Sequence, residues 1–216
     1  MYFASWLPSD VGGEGFGKMS STIVVSGSPA HPSKTAILGD HVVARLKTSG
    51  IEATHLRLRD LPGDGLLSCD ARHPAIAREI ERLAASDGVV FVTPIYKASF
   101  SGLLKLFIDL LPQFGLKDKV AMPLATGGTT AHVLALDYGL RPVLQSLGAR
   151  HIVQSFFVLQ SEIDVDAGKV SKAIADAPFF CQVFNEFCES VTARQFLQQI
   201  GANSNESRGP SYRSEI

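Results

Sequence analysis

Residues 22–35 have the sequence TIVVSGSPAHPSKT, and this stretch predicts how the rest of the chain folds around it. Residues 23–25 form a short β-branched run, which is typical of a strand buried in a sheet. A polar turn follows and ends at Ser33, a residue type that often caps a helix, and helix-compatible residues resume at Lys34. The stretch therefore predicts a strand that enters a helix through a polar turn.

The first turn of this helix is a candidate anion site. Its backbone N–H groups lack partners within the helix and lie at the positive end of the helix dipole. Ser28, Ser33 and Thr35 add hydroxyl donors, and Lys34 adds a positive charge. We expect a phosphate to bind here, although the same pattern is also typical of an ordinary strand-to-helix turn with an N-cap serine.

The length and charge of the chain limit the classes of protein to which it can belong. Its 216 residues fit one domain with a substantial core. The formal net charge of −1 argues against a nucleic-acid-binding surface and against an acidic electron carrier. No apolar run reaches the about 18 to 20 residues that a membrane helix needs. We therefore expect neither a nucleic-acid partner nor a membrane partner.

Cysteine usage predicts reduced thiols and no metal site. The chain has three cysteines, Cys69, Cys181 and Cys188. Their odd number and the lack of a CxxC or Cys/His spacing argue against a disulfide framework and against zinc.

The two ends of the chain differ in composition from the middle. Residues 1–18 have no basic start and no sustained apolar segment, so we interpret them as a flexible extension and not as a signal peptide. Residues 201–216 are polar and rich in Gly, Ser and Asn, which predicts a disordered tail. Residues 19–200 are then the folded domain, and the lack of targeting signals predicts a cytoplasmic protein.

Between these ends, predicted strands and helices alternate. The five predicted strands follow the order of the chain: the run near 22–26, then 53–58, 89–93, 120–125 and 152–159. Helices are predicted between and after them over 34–48, 74–85, 103–111, 131–147 and 170–200, with a possible break at Pro178. Such alternation predicts an α/β fold, a doubly wound five-stranded parallel sheet flanked by helices.

Three loops that are rich in Gly, Ser, Thr and Pro follow strands one, three and four. They are residues 26–35, 94–102 and 126–130. Because the carboxyl ends of parallel strands share one edge of a sheet, where open α/β sheets bind ligands, we expect the three loops to meet.

Known motifs restrict the ligand of these loops. A P-loop needs glycine before its lysine, where this chain has Ser33, and it needs an acid after the third strand, which ends in VTP. Neither the GxGxxG dinucleotide motif after strand one nor the GxSxG motif of α/β-hydrolases is present. A mononucleotide with a flat ring suits the loops better, with its phosphate on 28–35 and its ring along 94–100 and 126–129. FMN in this position is typical of the flavodoxin-like strand order.

Three longer segments carry a family resemblance. They are GSPAHPSKT (27–35), TPIYKASFSGLLKLFIDLLP (93–112) and LATGGTTAHVLALDYGLRPVLQSLGA (124–149). Together they resemble the NADPH-dependent FMN reductases, above all the alkanesulfonate-assimilation branch, whose members are the reductases of two-component monooxygenases. The resemblance covers roughly residues 22–160.

This resemblance implies a flavodoxin-like fold with the strand order 2-1-3-4-5, and hydride transfer from NADPH or NADH to FMN. It further implies that reduced FMN leaves for a partner monooxygenase of organosulfur metabolism, and we expect a homo-oligomer, a dimer or a tetramer. No catalytic acid or base and no metal is required by the sequence. The candidate flavin-binding residues are Ser26, Ser28, Ser33, Lys34, Thr35, Pro94, Ile95, Tyr96, Lys97, Ala98, Ser99, Thr126, Gly127, Gly128 and Thr129. Members of the family often carry Arg where Lys34 stands, so phosphate binding here would use one bond in place of a bidentate pair.

The helix predicted over 131–147 contains Pro142. Proline lacks the N–H that would bond the carbonyl of Tyr138, and Gly139 loosens the same turn, so a kink or a π-bulge is predicted at 137–141. The resemblance also implies a π-helical insertion at this tyrosine, close to the flavin at a subunit interface. Tyr138 is therefore our one candidate for a functional side chain outside the loops. The alternative is a kinked core helix with a buried tyrosine.

Two other functions fit the same fold. One is a quinone or azo reductase that keeps FMN tightly bound, and the other is a non-catalytic flavodoxin-type electron carrier. The fold alone does not choose among them.

Overall fold

The structure, a computed structural model, describes the backbone of residues 19–206 and the side chains of residues 19–197. The predicted extension, residues 1–18, lies outside this range. A mainly parallel sheet forms the centre, with the strand order β2-β1-β3-β5-β6. Its strands are β1 (Ser21–Ser26), β2 (Glu52–Arg57), β3 (Gly88–Tyr96), β4 (Ser99–Phe100), β5 (Val120–Gly127), β6 (His151–Ile152) and β7 (Phe156–Leu159).

The predicted flavodoxin-like fold is confirmed, but the prediction of five strands was wrong. The predicted fifth strand is divided into β6 and β7, which both pair with β5 in parallel. At the interruption, the carbonyls of Ile152 and Val153 accept hydrogen bonds from the guanidinium of Arg141 at 3.0 and 2.9 Å. A further short strand, β4, pairs antiparallel with the end of β3, so the sheet is seven-stranded and not wholly parallel.

Helices cover both faces of the sheet. They are α1 (Lys34–Thr48), α2 (Gly63–Leu67), α3 (Pro74–Ala85), α4 (Gly102–Ile108), α5 (Arg141–Ser146), α6 (Lys172–Ala175) and α7 (Pro178–Glu206), and a π-helix over Leu136–Leu140 runs directly into α5. Apolar residues of α3, α4, the π-helix and α5 pack with Phe91 on one face of the sheet. On the other face, α1 packs with α7, whose Phe180, Phe184 and Phe187 are fully buried.

The C-terminal part of the chain differs in detail from the prediction. A small antiparallel hairpin of β8 (Ile163–Asp164) and β9 (Lys169–Val170) precedes α6. The break expected at Pro178 is present, because α7 begins there. Helix α7 continues to Glu206, so the first residues of the predicted tail are helical, while residues 207–216 lie outside the described range. Within residues 19–206, no helix is both long and apolar enough to cross a membrane.

Candidate functional site

The loop between β1 and α1 presents two oriented serines. Ser33 caps α1, because its Oγ accepts the N–H of Ala36 at 3.1 Å, and Oγ of Ser28 accepts the N–H of Ala30 at 3.3 Å. A hydroxyl can accept and donate together, and neither bond uses the hydroxyl proton. The two bonds therefore orient the serines while their O–H groups can still donate to an anion at the start of the helix.

Lys34 brings a positive charge to this edge of the sheet. Its Nζ donates to the carbonyl of Gln160 at 2.6 Å, in the turn that follows β7. An ammonium has three donors, and this bond uses one of them. Lys34 thus joins the β1–α1 loop to the end of β7 and retains donors for an anion.

Three other candidates are buried and have contacts inside the protein. Oγ1 of Thr35 and Oγ1 of Thr126 lie 2.9 Å apart, and both side chains are buried. Oγ of Ser26 lies 3.0 Å from Nε2 of His55 and is buried as well. The side chains of Thr35 and Thr126 hold the first and third loops together, and that of Ser26 connects β1 to β2.

The second loop is a tight hairpin between β3 and β4. Ile95 pairs with Phe100 and Tyr96 with Ser99, so only two residues form the turn. These two residues, Lys97 and Ala98, have φ angles of 50° and 60°. Pro94 and Ile95 are buried and anchor the hairpin, whereas residues 96–99 are exposed. The hairpin therefore presents a fixed, exposed stretch of backbone at the carboxyl edge of the sheet.

Ser101 connects this hairpin to the first loop, and the sequence analysis did not select it. Its Oγ donates to the carbonyl of Gly27 at 2.5 Å and caps α4 by accepting the N–H of Leu104 at 3.2 Å. Its own N–H bonds to Oγ1 of Thr93 at 2.9 Å. The available signal was a serine two residues before the helix predicted over 103–111, since serine is a preferred N-cap residue.

The third loop contains two glycines with different surroundings. A Cβ atom on Gly127 would lie 2.6 Å from the ring of Phe157, so this position needs glycine for close packing. A Cβ atom on Gly128 would have no heavy atom within 4 Å, so the space beside it is open. Thr129 caps the turn that follows, because its Oγ1 accepts the N–H of Ala131 at 3.3 Å. An open space beside exposed backbone can receive the edge of a flat ring.

The predicted π-bulge is confirmed in the helix that follows. The N–H of Arg141 bonds to the carbonyl of Leu136, five residues earlier. A Cβ atom on Gly139 would lie 3.7 Å from the ring of Phe100 and 3.9 Å from Oγ of Ser99, so the π-helix packs directly on the hairpin. Tyr138 is 80% exposed, which excludes the alternative of a buried core tyrosine.

A second set of contacts joins the π-helix to the segment between β6 and β7. Nε of Arg141 donates to Asp137 at 3.1 Å, and Oγ of Ser155 donates to the same carboxylate oxygen at 2.7 Å. The other guanidinium nitrogens of Arg141 bond the carbonyls of Ile152 and Val153. The π-helix is thus joined to the interruption between β6 and β7, a connection that the sequence analysis did not predict.

Residues 21–164 match the model of the NADPH-dependent FMN reductase family. The chain belongs to this family. It is therefore an oxidoreductase of FMN whose electron donor is NADPH or NADH, and the predicted resemblance is confirmed at the level of the family.

Individual relatives agree with this assignment. The chain is 40% identical over 141 residues to the FMN reductase (NADPH) of Escherichia coli strain K12, with 65% of this chain and 74% of that protein covered. It is 29% identical over 152 residues to the NADH-dependent FMN reductase SfnE of Pseudomonas putida, with 66% and 78% covered. The apo crystal structure of EMOB, an NADH:FMN oxidoreductase, is 40% identical, with a TM-score of 0.67 over 82% of this chain and 89% of that chain.

The residues at the carboxyl edge fit FMN. Oriented hydroxyls of Ser28 and Ser33, the start of α1 and Lys34 together suit a phosphate group. The exposed hairpin and the open space beside Gly128 suit a planar ring with polar atoms along one edge.

Proposed function

We propose that FMN binds across the three loops at the carboxyl edge of the sheet. Its phosphate contacts Ser28, Ser33 and Lys34 in the first loop. The ring lies along the backbone of residues 94–99 and 127–129. The observation that carries this proposal is the convergence of a prepared anion site, a rigid exposed hairpin and an open glycine loop, which hydrogen bonds from Ser101, Thr35 and Thr126 hold together.

The bound flavin accepts a hydride from NADPH or NADH, and this redox chemistry belongs to the flavin and not to a side chain. The role of the chain is to position the flavin ring and the nicotinamide. The hairpin and the π-helix support the flavin ring from the protein side, and the exposed residues 96–99 leave room for the nicotinamide at the other face. No side chain of the site is assigned as an acid or a base.

We further propose that reduced FMN leaves the protein and supplies a flavin-dependent monooxygenase of organosulfur metabolism. The motifs of residues 93–112 and 124–149 support this, since they resemble the alkanesulfonate-assimilation branch of the family. The exposed loops are consistent with a flavin that enters and leaves. The competing function is a quinone or azo reductase that retains FMN.

Two properties of the whole protein belong to the same proposal. Val133, Leu134 and Tyr138 are 41%, 60% and 80% exposed beside the candidate site, and such an apolar surface is typical of a subunit contact. We therefore propose a dimer or a tetramer that buries this surface.

The three cysteines are free thiols, which is consistent with a protein that acts in the reducing cytoplasm.

The test is an anaerobic reaction of the purified protein, stripped of flavin, with NADPH and added FMN. We expect NADPH oxidation to require FMN and to saturate in the micromolar range that is typical of enzyme substrates. Reduced FMN should pass a filter that retains the protein. A protein that holds stoichiometric FMN through purification, ignores added FMN and reduces quinones at full rate would contradict the release of flavin.

A further inference from the structure

Two hydrogen bonds of His55 connect α1 and β2 to the strand that enters the proposed phosphate loop. Nδ1 of His55 lies 2.7 Å from Oδ1 of Asp40, and Nε2 of the same ring lies 3.0 Å from Oγ of Ser26. Ser26 is the last residue of β1, and the β1–α1 loop begins at the next residue. The imidazole therefore stands between a carboxylate on α1 and a hydroxyl at the edge of the candidate phosphate site.

The position of this ring is tightly defined. A Cβ atom on Gly39 of α1 would lie 2.6 Å from Nε2 and 2.7 Å from Cε1 of His55, so the ring occupies the place of a side chain on the helix. The side chain of His55 is only 7% exposed. Gly39 follows the cap residue Ser33 by six positions, which places it about 9 Å along the helix from its start.

The protonation state of His55 decides what Ser26 donates to. The carboxylate of Asp40 can only accept, so Nδ1 carries a proton. In the neutral ring, Nε2 accepts a hydrogen bond from the hydroxyl of Ser26. In the charged ring, Nε2 donates to Oγ of Ser26, and the hydroxyl proton of Ser26 is released for another acceptor at the carboxyl end of β1.

Burial holds the pKa of His55 below the ordinary histidine value in the free protein. Burial lowers the pKa of His55 and outweighs the hydrogen bond and charge of Asp40, which act in the opposite direction. Arg57 of β2 lowers this pKa further, whereas Asp60, in the turn after β2, raises it. Burial opposes the ionisation of Asp40, yet hydrogen bonds from Arg57 and His55 lower its pKa, so the carboxylate is charged.

We propose that His55 takes up a proton from the solvent when a phosphate binds in the β1–α1 loop, and that this proton tightens the binding of phosphate-bearing flavin. This inference rests on the proposed position of the FMN phosphate. A phosphate dianion at the start of α1 favours the imidazolium, and the released Ser26 proton adds a donor at the carboxyl end of β1. The phosphate group of the ligand, and not its ring, is responsible for the coupling.

The sign of the pH dependence follows from linkage. If the bound phosphate raises the pKa of His55, then FMN binds with uptake of a proton. The affinity for FMN then increases as the pH falls through the higher pKa of the complex and levels off below the lower pKa of the free protein. In a medium with the dielectric constant of water, Coulomb interaction with a dianion at roughly 9 Å corresponds to about a three- to tenfold gain in affinity.

The dissociation constants of FMN and riboflavin, measured by fluorescence between about pH 8 and pH 5.5, test the coupling around the titration of histidine. The ratio of the two constants is compared in the wild type, His55→Gln and His151→Gln. Glutamine cannot titrate, so His55→Gln should lose the threefold to tenfold gain, and only the titration of the phosphate itself should remain. His151→Gln makes the same exchange at the start of β6, at the opposite edge of the sheet, and should behave like the wild type.

A second measurement needs no variant. The Cε1 proton of His55 is titrated by NMR in the wild type with saturating FMN and with saturating riboflavin. We expect a higher midpoint with FMN. Equal midpoints, together with tighter binding of FMN than of riboflavin, would overturn this inference and leave the phosphate site intact. Equal affinities for the two flavins at every pH would overturn the phosphate site itself and this inference with it.

Discussion

Ser28, Ser33 and Lys34 show how single residues prepare the proposed phosphate site. Both serine oxygens accept backbone N–H groups, and the Lys34 ammonium bonds to Gln160, so all three side chains are oriented before a ligand arrives. Side chains that are already ordered lose less conformational entropy on binding. The lysine has the largest expected effect, because a charge-assisted bond to phosphate is stronger than a neutral one.

Lys34→Ala should weaken the binding of FMN by about 1.5–3 kcal/mol, which is roughly ten- to a hundredfold, because a charge-assisted hydrogen bond is lost. Riboflavin has no phosphate, and its affinity should change little. Titration by flavin fluorescence measures both constants. Lys47→Ala removes a lysine from the last turn of the same helix and should leave both unchanged. Equal losses for the two flavins in Lys34→Ala would mean that the phosphate binds elsewhere.

Ala98 occupies a conformation that suits glycine. Its φ of 60° lies in the left-handed region, where a Cβ atom costs about 1 kcal/mol relative to glycine. Ala98→Gly should therefore raise the free energy of unfolding by about 0.5–1 kcal/mol, which urea denaturation measures. Ala71→Gly, at an exposed position outside the left-handed region, should not stabilise the protein. A lower stability of Ala98→Gly would show that the turn is not strained.

At the scale of elements, the π-helix is the feature that connects the candidate site to the rest of the fold. One of its faces packs on the hairpin through Gly139, and Tyr138 is exposed to solvent. Arg141 joins its C-terminal end to the interruption between β6 and β7 with bonds to Asp137, Ile152 and Val153. The π-helix therefore lies between the hairpin and the interruption of the sheet and contacts both.

Arg141→Met removes these bonds, so the two carbonyls lose this donor and Asp137 keeps only its bond from Ser155. Partly buried polar groups that lose their partner cost about 1–3 kcal/mol, so the free energy of unfolding should fall by this amount. Lys105→Met is the matched control, because Lys105 and Asp109 form an exposed pair with the same four-residue spacing. This exposed pair should contribute less than about 1 kcal/mol. Similar losses in the two variants would contradict the role of Arg141.

These elements also show which features a sequence can predict. The π-helix could be predicted because its causes, Pro142 and Gly139, lie within the single helix that the sequence predicts over 131–147. The first strand and α1 could be predicted for the same reason, since Ser33 and the β-branched run are local signals. The divided fifth strand could not, because Arg141 reaches carbonyls 11 and 12 residues away through the folded structure. The β4 hairpin was missed because Lys97 and Ala98 lack the Asn-Gly or Asp-Gly signature of such turns.

In the candidate site, too, the sequence predicts some features and not others. The three loops could be predicted to meet, since the carboxyl ends of parallel strands share one edge. Which side chains face a ligand could not be predicted, because burial depends on the packed structure. Thr35 and Thr126 contact each other, and Ser26 contacts His55.

At the scale of the whole molecule, an apolar surface lies beside the candidate site. Leu134 and Tyr138 are exposed where the π-helix packs on the hairpin. If subunits associate through this surface, then association and flavin binding share the π-helix. Burial of a tyrosine side chain contributes about 1.5–3 kcal/mol, which is enough to shift an assembly equilibrium.

Tyr138→Ala should lower the average mass in light scattering and change the rate at which FMN dissociates, while the circular dichroism spectrum stays the same. Phe114→Ala removes another aromatic ring, which is 56% exposed and lies before the amino end of β5, away from the carboxyl ends of the strands. This control should keep the mass and the FMN dissociation rate of the wild type. An unchanged mass and an unchanged FMN dissociation rate in Tyr138→Ala would exclude the proposed contact.

The central claim is that the three loops at the carboxyl edge form the flavin site, and amide hydrogen exchange with and without FMN tests it most directly. We predict that FMN slows exchange in residues 28–35, 94–99 and 127–129. The segment 112–119, at the opposite edge of the sheet, should exchange at the same rate in both states. Protection confined to 112–119, or unchanged exchange in all three loops at saturating FMN, would contradict the account.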